Sequence, residues 1–306
     1  MRIGIPKEKN EKETRVAVVP VSIPKLSKLG FEVIIEENAG KKSGYSNAEY
    51  EEKGAKISSI DDVMKSELIA SIDVPDFSSM KKGQMLACVA DPFRNLEQTK
   101  KIIDAGITLL SLEVIPRRLS KGQSMDVNSS QDNLSGYKAA LLGSQNIAKM
   151  VPMMMTSAGT VKPAKFVIQG AAVAGLQAIA TAKRLGGAIQ AIDVRLAAKQ
   201  DTESLGAKFI DVPGWKDAES SSGHASLFTD TDLQNAFDNA LMDAVRDADV
   251  VITTARLFGA NAPKLFFCKE NNEKMTQELT EVCVIVDMNP PPGGTMNGSI
   301  EGFLIE

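Results

Sequence analysis

The 306-residue chain is 43% apolar and 24% charged, with a net charge of −4. That apolar content excludes a wholly disordered chain and, at about 150 residues per domain, suggests two domains with sizeable cores. The acidic balance, with no basic cluster longer than Lys-Arg or Arg-Arg pairs, excludes a phosphate-backbone binder, so no nucleic-acid partner is expected.

The N-terminus, Met-Arg-Ile-Gly-Ile-Pro-Lys-Glu, starts directly with a strand-like run and lacks the apolar core of a signal peptide. No apolar run approaches the ~20 residues needed to cross a bilayer, so no direct membrane span is expected. Segments 2–5, 31–36, 68–74, 85–89 and 107–114 read as strands, and 20–29, 48–54, 60–65 and 96–106 as helices. Strands alternating with helices imply a parallel α/β sheet. None of these strands leads into a glycine-rich turn, so no phosphate cradle is expected in this half. Lys7 and Glu8 read as strand-end surface charges. Cys88, Cys268 and Cys283 are an odd, widely spaced set without C-x-x-C, which fits a reducing compartment and neither a disulfide framework nor a metal site.

Residues 116–133, "PRRLSKGQSMDVNSSQDN", form a polar stretch that reads as a functional loop, followed by a connector helix over 134–150. Met150, Met153, Met154 and Met155 read as connector and core packing. A second α/β run then follows: strand 166–169, helix 173–185, strand 189–194, helix 199–205 and strand 208–210, continued by 233–248, 250–254 and 282–288.

The stretch "KFVIQGAAVAGLQ" gives the turn Gly170-x-Ala172-x-x-Gly175. In a dinucleotide-binding turn the first glycine permits the tight bend, the second lets a pyrophosphate approach the backbone, and the third allows close helix packing. Two of three are present. Ala172 places one methyl group in the diphosphate path, while the helix starting at Val173 still offers free N–H groups and a positive dipole end. Asp193 ends the next strand 23 residues after Gly170. An acid at that distance accepts the adenosine ribose hydroxyls and repels a 2′-phosphate, so NAD(H) is expected rather than NADP(H). The competing reading is an Asp193 that caps the following helix. Arg195, after Val194, lies either against the adenine or in solvent.

Over residues 1–210 the chain resembles the NAD(H)-binding component of proton-translocating nicotinamide nucleotide transhydrogenase, a relative of alanine dehydrogenase. The matching stretches are "IGIPKE…ETRVAVVP", "GFEVIIEENAG", "PRRLSKGQSMDVNSSQDNLSGYKA", "PMMMTSAGTVKPAKFVIQGAAVAGLQAIATAKRLGG" and "DVRLAAKQDTESLGAKFI". The resemblance implies that Arg118, Gln123 and Asp126 hold the nicotinamide and its ribose for hydride transfer, with Gln123 facing NADP(H) on a partner subunit. It adds Lys121, Ser129, Gly223 and Thr254 to the nucleotide contacts given by Gly170, Ala172, Val173, Gly175, Asp193, Val194 and Arg195. It also implies membrane-spanning and NADP(H)-binding partner subunits, a homodimer, and a cytoplasmic position at the inner membrane held through those partners.

Hydride transfer between two nicotinamide rings needs positioning rather than an acid–base pair. Reductive amination needs a cation for the keto-acid carboxylate and a proton donor. Arg15 matches the arginine that alanine dehydrogenases use, but their lysine position is Asp73 here, and "LACVADPFRN" supplies no histidine. The sole histidine, His224, reads as a surface residue. An alanine-dehydrogenase-like oxidoreductase and a non-catalytic nucleotide-binding paralogue are the rival readings. Arg256, Phe258, Asn289 and Pro290–Pro292 depart from the family pattern, the prolines stiffening their loop.

The expected fold is α/β. Two Rossmann-like or flavodoxin-like doubly wound parallel-sheet domains span 1–130 and 131–306, with the nucleotide in a cleft between them. The second domain is expected to be C-terminally incomplete relative to the family.

Overall fold

The computed structural model describes residues 1–116, 120–215, 230–254 and 284–288. The chain divides into two compact units, Met1–Val127 and Asn128–Glu306. In the first, β1 (Arg2–Ile5), α1 (Ile23–Lys28), β2 (Glu32–Glu36), α2 (Asn47–Glu52), β3 (Lys56–Ser58), α3 (Ile60–Val63), β4 (Leu68–Ala70), β5 (Met85–Cys88), α4 (Leu96–Asp104), β6 (Thr108–Ser111) and α5 (Ser120–Gln123) alternate. Among the described residues its strands lie in the order β3-β2-β1-β4-β5-β6, every pair parallel. This is the Rossmann order, which resolves the two topologies left open by the sequence.

Strand β3 was not anticipated, because a three-residue edge strand carries too little alternation to register. Where a strand was expected over 68–74, β4 ends at Ala70, and residues 71–74 form a turn. Glu8 causes this: its carboxylate accepts hydrogen bonds from the Ile72 and Asp73 N–H groups, at 2.7 and 3.2 Å. It is therefore a half-buried brace and not a surface charge. Burial pushes its pKa up, against the lowering effect of those two N–H donors.

The second unit opens with α6 (Val127–Asn146) and a hairpin of β7 (Met154–Thr156) and β8 (Gly159–Val161). It continues through β9 (Lys165–Gln169), α7 (Val173–Arg184), β10 (Ala188–Ile192), α8 (Ala197–Ser204), β11 (Lys208–Phe209), α9 (Thr231–Val245), β12 (Val250–Thr253) and β13 (Val284–Asp287). The described strands β9 to β13 follow the order β11-β10-β9-β12-β13, again all parallel. Alternate residues of β9 feed two cores: Phe166 and Ile168 pack with Ala178, Ile179 and Ala182 of α7, while Val167 packs with Phe237, Leu241 and Val245 of α9. Helices thus cover both faces, as a doubly wound sheet requires.

Two expectations fail in this unit. Helix α6 begins at Val127, so the second half of the supposed loop is helical. Its Asn, Ser and Gln residues have weak helix propensity, and its buried stripe is Gly136, Ala139, Ala140 and Gly143, small residues that give little apolar periodicity. The stripe exists for close approach, since a Cβ on Gly136 would stand 2.0 Å from the Ala174 carbonyl oxygen of α7. Nor are the methionines core. All four are exposed, and Met154 and Met155 sit on a hairpin whose six strand residues are exposed.

Candidate functional site

The second sheet changes direction of winding between β9 and β12, and ligands of such sheets bind in the crevice at the carboxyl ends of the strands there. Gly170 leaves β9 with φ +89°, a left-handed value that favours glycine, and its N–H donates to the Ile192 carbonyl at 2.8 Å. Ala172, the N-cap of α7, has φ −89°, so this middle position demands no left-handed backbone. Its side chain is exposed and makes no capping hydrogen bond. The first-turn N–H groups that begin at Val173 have no acceptor inside the helix, which gives an anion an electropositive seat.

Gly175 is the closest approach in the turn: a Cβ there would lie 1.8 Å from the Gly170 carbonyl oxygen. From β12, the Thr254 hydroxyl braces the same bend, within 2.9 Å of the Gly170 carbonyl and 3.1 Å of the Gln169 carbonyl. These are backbone contacts, and they make Thr254 a support under the turn.

Asp193 is only 5% exposed at the end of β10. Its Oδ2 accepts from the Ala171 N–H at 2.7 Å and from Arg195 Nη2 at 2.9 Å. Its Oδ1 accepts from the Arg195 backbone N–H at 2.8 Å and from Arg195 Nε at 3.0 Å. Asp193 thus ties the glycine turn to the next strand end, and it does not cap a helix: the residue at the N-cap of α8 is Leu196. Val194 is half-buried, and its carbonyl accepts from the indole N–H of Trp215 at 3.3 Å. Trp215 was not singled out by the sequence. It stacks on Phe209 with ring centroids 5.4 Å apart.

The structure therefore gathers Gly170, Ala172, Val173, Gly175, Asp193, Val194, Arg195 and Thr254 around one strand-turn-helix. The turn, uncapped helix and strand-end acid fit the diphosphate and adenosine ribose of a dinucleotide. Lys121 and Gln123 are exposed on α5, and Asp126 is half-buried just after it. Ser129 lies in the first turn of α6, one turn before Asn133, whose amide donates to Gln177 of α7 at 3.2 Å. Arg118, Gly223, His224, Arg256, Phe258, Asn289 and Pro290–Pro292 lie outside the described residues.

In the first unit the corresponding crevice, between β1 and β4, is filled by Glu8 clamped on the turn after β4. Beside it the Arg15 guanidinium is held two-pronged by Glu13, with Nε to Oε1 at 2.8 Å and Nη2 to Oε2 at 2.5 Å. The pairing lowers the Glu13 pKa and raises that of Arg15. Asp73 lies close by, its Oδ2 3.5 Å from the Asn10 amide. Glu13 escaped the sequence reading, although its place two residues before Arg15 was the available signal. Burial drives the Cys88 thiol up to about 12, so it is no nucleophile at neutral pH.

Residues 4–135 match the family described as "Alanine dehydrogenase/PNT, N-terminal domain", and residues 139–301 match its C-terminal domain. The first of the polypeptides that make up the NAD(P) transhydrogenase alpha subunit of Rhodospirillum rubrum is 38% identical over 317 aligned residues, covering 100% of this chain and 81% of that one. The crystal structure of transhydrogenase from Sinorhizobium meliloti superimposes with a TM-score of 0.83 at 35% identity, over 98% of this chain and 82% of the other. Alanine dehydrogenase of Mycobacterium tuberculosis is 25% identical, over 98% of this chain and 75% of that enzyme.

Proposed function

The chain belongs to the alanine dehydrogenase/PNT family, and from that premise we propose that it is the NAD(H)-binding component of a proton-translocating transhydrogenase. NADH, when bound, supplies a hydride to NADP⁺ carried by a partner subunit. The observation that favours this over amino-acid oxidation is the Arg15–Glu13 pair. An amino-acid dehydrogenase needs a cation open to the keto-acid carboxylate. Here the matching guanidinium already holds a carboxylate of its own chain, and Asp73 stands at the lysine position.

The chain's part is binding and orientation. The Gly170–Gly175 turn and the α7 N-terminus receive the diphosphate, and Asp193 receives the adenosine ribose. Arg118, Gln123 and Asp126, with Lys121 and Ser129, orient the nicotinamide end, and Gly223 adds a nucleotide contact. No proton is exchanged at the reacting carbons, so these groups need only hold geometry and exclude water. Proton movement belongs to membrane-spanning partner subunits. Among the described residues no helix is long and apolar enough to cross a membrane, which fits peripheral attachment through those partners on the cytoplasmic side.

The test is reduction of an NAD analogue by NADPH when the chain is mixed with an NADP(H)-binding partner. Arg118→Ala should slow this step about 100-fold, the scale of a misplaced reactant, while NADH affinity changes far less. Full turnover in that variant would remove Arg118 from the mechanism. Pyruvate- and ammonium-dependent NADH oxidation by the chain alone would replace the transhydrogenase reading with a dehydrogenase. NADH binding without turnover would mark a non-catalytic paralogue.

A second copy of the chain covers the β7–β8 hairpin, forming a homodimer. Met155, 71% exposed, and Met153, 57% exposed, put flexible apolar side chains on an isolated two-stranded ribbon, which in water is marginal without a partner surface. Met155→Asp should shift the sedimenting species from dimer towards monomer at micromolar concentration. An unchanged dimer would place the interface elsewhere.

A further inference from the structure

The four hydrogen bonds on Asp193 leave its carboxylate saturated. A carboxylate has about four acceptor positions, and here two backbone N–H groups, of Ala171 and Arg195, take one on each oxygen. The Arg195 guanidinium takes the remaining two with Nε on Oδ1 and Nη2 on Oδ2. Those last two positions are the ones a vicinal diol would use, one hydroxyl to each oxygen. The acid is 5% exposed and the arginine side chain 19%, so the guanidinium lies over the carboxylate on the side that still meets solvent.

We propose that Arg195 is a displaceable internal ligand of the adenosine-ribose site: its two-pronged guanidinium stands in for the 2′- and 3′-hydroxyls and must swing away before a nucleotide can bind. This inference rests on Asp193 being the ribose acceptor. Arg195 is then a positioning and specificity residue. When only a fraction of molecules has the acid uncovered, apparent affinity falls by that fraction. A ligand must also bring two hydroxyl donors to replace both bonds. A nucleotide with one hydroxyl replaces one bond only, and a 2′-phosphate brings negative charge to a carboxylate.

Trp215 supplies the readout. It is the sole tryptophan, its indole N–H meets the Val194 carbonyl between Asp193 and Arg195, and its emission overlaps the absorption of the reduced nicotinamide ring. Quenching of Trp215 by NADH, and calorimetric titration with ADP and 2′-deoxy-ADP, are measured on the full chain. Arg195→Ala should bind NADH and ADP about tenfold more tightly, the factor for a site that is about one-tenth open. The preference for ADP over 2′-deoxy-ADP should widen with it. Arg195→Lys keeps a charge near the buried acid but loses the fork, so it guards against misfolding and should tighten ADP by about threefold, between the two extremes.

Weaker NADH binding in Arg195→Ala would overturn the proposal and make Arg195 a direct adenosine contact. So would tighter binding with an unchanged ADP to 2′-deoxy-ADP ratio, which marks a structural effect. Absence of NADH binding in wild type and both variants would remove the dinucleotide reading and this inference together. NADH binding that the variants leave unaltered would remove this inference alone.

Discussion

Replacing Gly175 by alanine is expected to abolish NADH binding and to lower the melting temperature of the second unit by roughly 6–12 °C. The new Cβ would stand 1.8 Å from the Gly170 carbonyl oxygen and 2.8 Å from its carbon. Both are backbone atoms, so no rotamer change relieves the clash. Either α7 moves away from β9 or the Gly170 bend opens, and each displaces the helix N-terminus from the place where a diphosphate would meet it. Overpacking of a well-packed core costs about 1–3 kcal/mol, and backbone against backbone belongs at the upper end. At about 2–4 °C per kcal/mol for a unit of this size, the stated shift follows. Gly83→Ala serves as the control. It has φ +91° with open space around it, so strain of about 1 kcal/mol should appear in stability without touching NADH affinity. Calorimetry and Trp215 quenching report both effects. Gly175→Ala protein that binds NADH as wild type does would show that the turn is only a structural βα connection.

The glycine turn was legible because backbone geometry leaves few residue choices there. Gly170 requires a left-handed φ and Gly175 a missing Cβ, so spacing alone exposes both. Ala172 is different: its φ is ordinary, and the sequence pattern overstates what glycine contributes at that position. The parallel order of both sheets also followed from alternating strands and helices, because apolar strands such as Val250–Thr253 are buried whole. Helix α6 was misread because its folding energy comes from close backbone packing of Gly136 on Ala174 rather than from large apolar side chains. The roles of Glu8 and Glu13 were hidden for another reason. A carboxylate that clamps a turn 64 residues away, or neutralises an arginine two residues on, looks in sequence like any solvated charge. Long-range polar pairing leaves no periodic mark.

Asp193→Asn tests the other end of the site and should raise the NADH dissociation constant at least 100-fold. Hydrogen bonds to a charged acceptor contribute about 1.5–3 kcal/mol each. Losing the charged character of two ribose contacts therefore removes about 3 kcal/mol or more, which is about two decades in affinity. The amide also introduces an N–H₂ group among donors, since the Ala171 N–H and the Arg195 guanidinium both point at this side chain. One donor must go unpaired, and the bend at Gly170 should loosen with it. Selectivity should shift as well, because the negative charge that repels a 2′-phosphate is gone while Arg195 remains beside the site. The NADPH to NADH affinity ratio should rise by about tenfold or more even as NADH binding falls. The same substitution separates two roles of Arg195. If the arginine acts by covering this carboxylate, Arg195→Ala tightens NADH in the wild-type background and has little effect in the Asp193→Asn background, a coupling measurable in a double-mutant cycle. Equal effects of Arg195→Ala in both backgrounds would mean that the two residues meet the nucleotide independently. Unchanged NADH affinity in Asp193→Asn would detach the acid from the ribose altogether.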